Sequence, residues 1–182
     1  MKRYLVAIVL SALCVVIFTA YKKNAVGEEK SKISKPPLAL AFSLDKGAEV
    51  IEIEIRIVEK QIYTFGLGFM YDTNVAHDSD RVLALINDTR NPVTHKYTNL
   101  GVPLTVRLRV QSLDADIPTV VFEKVESEIE RYAGGFGSYE KKIANINLEP
   151  GHYKVRIENI LAAPALQGTS TNFHIRRAYL GK

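Results

Sequence analysis

The stretch VIEIEIRIV, residues 50–58, decides the fold class of this chain. Apolar side chains occupy every second position, and Glu52, Glu54 and Arg56 fall between them. Because successive side chains of a strand point to opposite faces, this pattern predicts a β-strand with one buried and one solvated face. The same alternation resumes over residues 63–71. Since the link is so short, the two strands are predicted to form a hairpin.

Working outward, six more segments show the two-residue period or a short apolar run after a turn. One helix, Asp80 to Asn87, is predicted among them, capped by Ser79 or Asp78. Eight short strands with polar outer faces predict an all-β fold, an antiparallel β-sandwich of immunoglobulin-like or related Greek-key type. The six further strands are predicted at residues 39–44, 104–111, 120–122, 140–147, 153–158 and 173–175.

Two local features sharpen this fold prediction. Gly66 and Gly68 interrupt the polar face of the second strand, where they indicate a bulge or the close approach of another backbone. The motif LEPGHY places Pro150 and Gly151 in a turn directly before Tyr153, which starts a strand. A tyrosine at that position is typical of a tyrosine corner, in which the hydroxyl bonds to backbone a few residues upstream.

The first twenty-three residues form a separate segment. Lys2 and Arg3 precede sixteen predominantly apolar residues, 5–20, and two lysines follow. This pattern predicts a signal peptide cleaved after Gly27, or an uncleaved anchor in which residues 4–21 cross the inner membrane. Both alternatives place the remainder in the periplasm, and the second also tethers it to the membrane.

Charge and composition bound the rest of the chain. Four of the 24 basic residues lie in the leader, which leaves 20 basic and 20 acidic residues after it. Because a nucleic-acid binder needs a basic face, we expect no nucleic-acid partner. Residues 24–37, closing with Pro-Pro, are predicted to be a flexible linker, and residues 38–182 a single β-sandwich domain.

One segment has the composition of a binding loop. Residues 131–139, RYAGGFGSY, combine Tyr132, Phe136 and Tyr139 with three glycines and follow an acidic run. Aromatic rings on a loop at the end of a rigid sandwich often form a binding surface. The alternative is that these rings fold over the open end of the core.

The other residues with chemical potential favour structural interpretations. His77 to Asp80 has neither the register of a calcium loop nor a zinc spacing, so a solvated turn at a helix start is the simpler interpretation. His152 and His174 fall on the polar faces of late strands and would be neighbours if those strands pair. Two histidines lack the third protein ligand of a catalytic zinc, and no nucleophile motif is present in the sequence. We therefore expect no enzyme, metal or cofactor.

The segments around these residues also resemble a known family. The stretch AFSLDKGAEVIEIEIRIVEKQIYTFGLGF, the helix start DSDRVLALI, the strand GVPLTVRLRV and the tail LEPGHYKVRIENILAAPALQGTSTNFHI are similar to the bacterial exported proteins grouped as domain of unknown function 5625. The resemblance covers most of residues 41–175. It implies a secreted or membrane-tethered β-rich protein of a Gram-negative bacterium, without an activity, cofactor or catalytic residue to carry over.

Two functions remain open. The first is a non-catalytic protein-interaction module with a protein partner in the cell envelope, such as an immunity protein that blocks a toxin. The second is a periplasmic ligand- or carbohydrate-binding domain, which would need an exposed aromatic platform on a sheet face. The chain has no tryptophan, which favours the first function.

Overall fold

The structure, a computed structural model, describes residues 33–86, 88–90, 92–94 and 97–179. Within these residues the chain forms eleven β-strands, one α-helix and a single turn of 3-10 helix. The elements are β1 (Leu38–Ala41), β2 (Val50–Ile57), β3 (Gln61–Met70), α1 (Asp78–Leu85), β4 (Asp88–Arg90), β5 (Tyr97–Leu100), β6 (Val106–Ser112), β7 (Thr119–Glu126), β8 (Arg131–Gly135), β9 (Ser138–Leu148), β10 (Gly151–Asn159), the 3-10 turn Pro164–Leu166, and β11 (Thr171–Arg177).

Two antiparallel sheets make up the body of the domain. The first has five strands in the order β1-β11-β3-β9-β8, and the second has four in the order β2-β10-β6-β7. The inward rows of both sheets are mainly apolar, and their fully buried side chains include Phe65 and Phe173 in one sheet and Ile55, Leu108 and Val155 in the other. The predicted all-β sandwich is therefore confirmed, and burial of these rows is the main source of its stability.

The predicted hairpin between residues 50–58 and 63–71 is wrong. β2 lies at the edge of the four-stranded sheet, whereas β3 lies in the five-stranded sheet between β11 and β9. Residues 58–60 carry the chain from one sheet to the other. Both strands still direct their apolar rows into the shared core. The alternation therefore predicts each strand correctly, but not its partner.

Two links between the sheets are closed in the same way. The Tyr153 hydroxyl donates to the Glu149 carbonyl oxygen at 2.9 Å, which is the bond expected from the motif LEPGHY. The Tyr63 hydroxyl makes the equivalent bond to the Glu59 carbonyl oxygen at 3.2 Å. An ion pair of 2.6 Å between Lys60 Nζ and Glu149 Oε1 joins the two links. The domain thus has a second tyrosine corner that the sequence analysis misses.

The helix begins earlier than predicted and lacks the predicted cap. It spans Asp78–Leu85 rather than 80–87, and the last residue of the predicted range lies outside the described residues. His77 precedes it in a left-handed conformation (φ 64°), and no side chain caps the first turn. Asp78 instead pairs with Arg81 across that turn, at 2.7 Å between Oδ1 and Nε.

Three short strands, β4, β5 and β8, have no predicted counterpart. They are three to five residues long, and β8 carries two glycines, so none shows a sustained two-residue period. β1, by contrast, ends at Ala41 and is shorter than the predicted strand 39–44. Phe42 and Leu44 continue its alternation beyond the paired residues and are buried.

The described residues begin inside the predicted linker. Ser34 pairs in parallel with the edge of β2, donating to the Glu54 carbonyl oxygen at 3.0 Å and accepting from the Arg56 amide at 2.9 Å. Four residues later the chain enters the other sheet as β1. Residues 33–41 therefore contact both sheets.

The predicted signal peptide or anchor lies outside the described residues, since these begin at residue 33. Among the described residues no helix has the length and apolar character that crossing a membrane requires. Export and tethering therefore stay predictions from the sequence.

Candidate functional site

The outer face of the five-stranded sheet is built around two glycines of β3. A Cβ atom on Gly66 would lie 2.7 Å from His174 Nε2 and 2.8 Å from the Lys141 carbonyl oxygen, and one on Gly68 would lie 2.5 Å from Asn172 Oδ1. The register of β3 with β9 also shifts at Gly66. Both predicted features, a register shift and the close approach of another backbone, are therefore present at Gly66, whereas the atoms that approach Gly68 belong to the Asn172 side chain.

Four side chains on this outer face contact one another and form what we call the tyrosine–arginine cluster: Tyr132, Glu140, His174 and Arg176. Arg176 binds Glu140 through both guanidinium Nη atoms, with the Nη1–Oε1 bond at 3.0 Å. Its Nη2 also donates to the Tyr132 hydroxyl at 2.7 Å, and the guanidinium lies 5.3 Å from the centre of the tyrosine ring. The Tyr132 hydroxyl lies 3.1 Å from His174 Nε2.

The cluster keeps both of its ring side chains uncharged. Burial lowers the pKa of His174; the Glu140 carboxylate opposes this shift, and Arg176 adds to it. Burial and the Glu140 carboxylate raise the pKa of Tyr132 well above its usual value. The Tyr132 oxygen accepts a hydrogen bond from Arg176 and lies within hydrogen-bond distance of His174 Nε2. The cluster therefore links β8, β9 and β11.

Tyr132 reaches the cluster because β8 contains an irregularity. The pairing of β8 with β9 shifts between Arg131 and Ala133, which leaves Tyr132 as an extra residue. A bulge of this kind changes the direction of one side chain at a sheet edge. Here it places Tyr132 against His174.

Residues 131–139 form a hairpin rather than the predicted loop. β8 and β9 pair through Gly134 and Gly135, and Gly137 turns the chain with φ 85°. We call Phe136 and Gly137 the hairpin tip. The Phe136 side chain is 93% exposed.

The base of this hairpin is anchored by two rings in contact at a tilt of 37°. The Tyr71 and Tyr139 ring centres are 5.2 Å apart. The Tyr71 hydroxyl donates to the Gly135 carbonyl oxygen at 2.7 Å, and the Tyr71 amide donates to that of Gly137 at 3.1 Å. Arg131 lies over the Tyr139 ring at 6.0 Å. These contacts hold the tip while leaving Phe136 in solvent.

The three aromatic residues singled out in the sequence thus separate. Tyr139 packs against the core, as the alternative of rings folding over the core expects. Tyr132 packs instead against His174 and Arg176 on the outer face of the sheet, and Phe136 lies in solvent. Sequence reasoning missed Glu140 and Arg176 altogether. Both are outward-facing charged residues of strands, and nothing in their local pattern separates them from other solvated charges.

Beside the cluster lies a shallow groove of about 380 Å³ across β1, β11, β3 and β9. It is bordered by small residues and by three members of the cluster, Glu140, His174 and Arg176. The lining residues are Pro37, Leu38, Ala39, Gly68, Met70, Ser138, Glu140, Asn172, His174 and Arg176.

Among the described residues, the other histidines do not assemble into a site. The strands that carry His152 and His174 do not pair, because β10 and β11 lie in different sheets, so the condition for these histidines to be neighbours is not met. His174 is also only 7% exposed, since Tyr132 covers it. His77 Nδ1 lies 3.2 Å from Asp80 Oδ2 on an exposed helix start. In the part of the chain that the structure describes, no three His, Cys, Asp or Glu side chains are grouped as metal ligands.

Comparisons with known proteins identify a family and a fold. The model of the family described as domain of unknown function (DUF5625) matches residues 39–177. A crystal structure of a protein from Sulfurospirillum deleyianum covers 78% of this chain and 97% of its own, with 21% identity and a TM-score of 0.63. The pre-peptidase C-terminal domain of a Bacillus anthracis collagenase covers 80% of this chain and 96% of its own at 9% identity, with a TM-score of 0.34, too low to show a shared fold. No curated protein matches the chain.

Proposed function

The chain belongs to the DUF5625 family, a domain of unknown function, and from its own geometry we propose that it is a non-catalytic β-sandwich that binds another protein of the bacterial cell envelope. The contact surface consists of the hairpin tip and the exposed parts of Glu140 and Arg176 in the tyrosine–arginine cluster. The observation that carries the proposal is the 93% exposed Phe136 ring on an anchored hairpin.

Exposure of such a ring is unfavourable unless something covers it, because transfer of a phenylalanine side chain out of water is worth about 1.5–3 kcal/mol. An aromatic ring on a preorganised turn also loses little conformational entropy on binding. The anchoring through Tyr71 and Tyr139 supplies that preorganisation. Aromatic anchors of this type carry much of the energy of protein interfaces.

The alternative function, carbohydrate binding, has less support. It calls for an exposed ring platform on a sheet face. Among the described residues, the aromatic side chains that are almost fully exposed are Phe136, at a turn, and Tyr179, after the last strand. The lining of the groove beside β1 contains no phenylalanine or tyrosine ring.

The proposed site of action is the periplasm, with or without a membrane tether, and it rests on the leader sequence. One partner that fits is a toxin delivered by a competing cell, which this domain would block as an immunity protein. A toxin gene beside the gene for this chain would support that partner.

The test is site-specific photocrosslinking in the native cell. The full chain carries a photoreactive phenylalanine analogue at position 136, and the control carries it at position 117, where Ile117 is 79% exposed on the loop before β7. We expect a discrete protein adduct from position 136 and none from position 117. Equal crosslinking at both positions, or none at position 136, would contradict the proposal.

A second variant separates binding from folding. Phe136→Ser removes the ring at a position that contributes little to the core, so its free energy of unfolding should stay within about 0.5 kcal/mol of the wild type. We expect this variant to lose the partner identified by crosslinking. A marked fall in stability would instead show that the ring is part of the core.

A further inference from the structure

A row of four charged side chains crosses the outer face of the four-stranded sheet. Glu52, Arg156, Arg109 and Glu123 lie opposite one another on β2, β10, β6 and β7. The two arginines are direct cross-strand neighbours in the middle of the row. Because like charges directly opposite each other are destabilising, this pair needs a compensating anion.

The surrounding carboxylates have other cations as their closest partners. Lys154 Nζ lies 2.6 Å from Glu52 Oε1, and Arg107 Nη1 lies 3.0 Å from Glu158 Oε2. Lys154 is also the largest cause of the lowered pKa of Glu52. Both glutamates therefore compensate Arg156 only in part.

The two central arginines make only long ion pairs. Arg156 lies 3.6 Å from Glu52 and 4.0 Å from Glu158. Arg109 Nε lies 3.7 Å from Glu123, and it is shielded from solvent without a hydrogen bond. These separations exceed the usual N–H···O range of 2.7–3.2 Å, so guanidinium donors remain for a ligand.

The same side chains enclose a depression of about 340 Å³. Its walls carry three arginines and three glutamates. A small anion fits between the arginines, whereas the glutamates repel a longer polyanion. The lining residues are Glu52, Arg107, Arg109, Gln111, Glu123, Arg156 and Glu158.

We propose that this depression, which we call the arginine pocket, binds a small molecule through a phosphate or sulfate group held between Arg109 and Arg156. Guanidinium groups bind such oxyanions through paired hydrogen bonds, and two adjacent cations match a divalent anion. The pocket lies on the other sheet from the hairpin tip, so the proposal is independent of the proposed protein contact.

The test is calorimetric titration of the full chain with inorganic phosphate, with sodium chloride at matched ionic strength as the reference. We expect one phosphate per chain and no equivalent heat from chloride. Arg109→Gln and Arg156→Gln should each weaken binding at least about tenfold, because each removes one of the two forks, and a loss of about 1.4 kcal/mol is tenfold. Arg56→Gln, the same charge change on an exposed residue of β2 outside the pocket, should bind as the wild type does.

Two further arms secure the interpretation. If a glutamine variant does not fold, Arg109→Lys and Arg156→Lys keep the charge but lose the fork and should still weaken binding. Binding to vesicles of phosphatidylglycerol identifies the source of the anion. Wild type and Arg109→Gln carry the same leader, so weaker vesicle binding by Arg109→Gln would assign the anion to a lipid headgroup. Phosphate binding without that difference would assign it to a soluble ligand. Equal affinity of wild type and pocket variants for phosphate, or no binding of either probe, would overturn the proposal.

Discussion

The outer faces of the two sheets are built by opposite means. On the five-stranded sheet, Gly66 and Gly68 remove side chains so that His174 and Tyr132 can pack closely and exclude water. On the four-stranded sheet, the outward residues are long and charged. Their ion pairs remain partly exposed: the side chain of Lys154 is 36% exposed and that of Glu123 is 46% exposed. The first face depends on close packing and the second on Coulomb attraction in water. Substitutions should therefore affect stability far more on the first face.

The largest effect is expected from Gly66→Val. Since a Cβ there would lie 2.7 Å from His174 Nε2 and 2.8 Å from the Lys141 carbonyl oxygen, the side chain cannot fit without displacing β9 or the cluster. We expect a loss of about 2–3 kcal/mol in the free energy of unfolding, measured by urea denaturation. Gly135→Ala is the control, because no atom lies within 4 Å of its added Cβ. A loss for Gly66→Val no larger than that of the control would show that this face is loosely packed.

A smaller loss is expected from Tyr132→Phe. The substitution keeps the ring but removes the hydroxyl that accepts from Arg176 and contacts His174. Because one of these bonds involves a charged donor, the loss should be about 1.5 kcal/mol. Tyr179→Phe makes the same chemical change on a side chain that is 94% exposed and should have no measurable effect. Equal melting temperatures for the two variants would remove the cluster as a source of stability.

The two sheets also show how much of the fold the sequence could predict. The alternation in residues 50–58 and 63–71 predicts two strands correctly, because a strand's buried face is a local property. Their pairing is not local. A link of two or three residues joins neighbouring strands of one sheet, or, as at residues 58–60 and 149–150, crosses between sheets. Each crossing between sheets is followed by a tyrosine, Tyr63 or Tyr153, whose hydroxyl bonds back to the link. That tyrosine is the sequence signal that distinguishes a crossing from a hairpin.

The candidate site was accessible from sequence only in part. The composition of residues 131–139 singles out Tyr132, Phe136 and Tyr139, and Phe136 is the exposed ring of the hairpin tip. The burial of His174 could not be predicted, because it depends on Tyr132 reaching across from β8 after a bulge. Such a contact joins residues 42 positions apart and leaves no periodic signal.

The pH dependence of stability offers a third test of the packed face. In the folded state the pKa of His174 lies below its usual value of about 6.5, mainly because the ring is buried. The negative charge of Glu140 opposes this shift, and the positive charge of Arg176 adds to it. As the pH falls below about 6.5, the unfolded chain therefore binds this proton first, and the free energy of unfolding falls by at most about 1.4 kcal/mol per pH unit. The stabilisation is present above pH 6.5 and lost on acidification.

This sign is checked by urea denaturation between pH 7 and pH 5.5. His174→Gln should flatten the dependence, whatever its own stability, because the titrating group is gone. His152→Gln makes the same change on the outer face of the other sheet and should keep the wild-type slope. A wild-type slope that survives in His174→Gln would assign the pH dependence to other groups.

The smallest effect is expected on the charged face, from Glu52→Gln. The carboxylate pairs with Lys154 at 2.6 Å, and this hydrogen bond is the largest cause of its lowered pKa. Burial opposes the shift, and the charge of Arg156 adds to it. The Glu52 side chain is 43% exposed, however, so solvent screens both interactions and the loss should be below about 0.5 kcal/mol and vanish in 1 M salt. A loss comparable with that of Tyr132→Phe would erase the contrast between the faces. The same variant also tests the arginine pocket, because removing a negative charge beside Arg156 should tighten phosphate binding despite this small loss of stability.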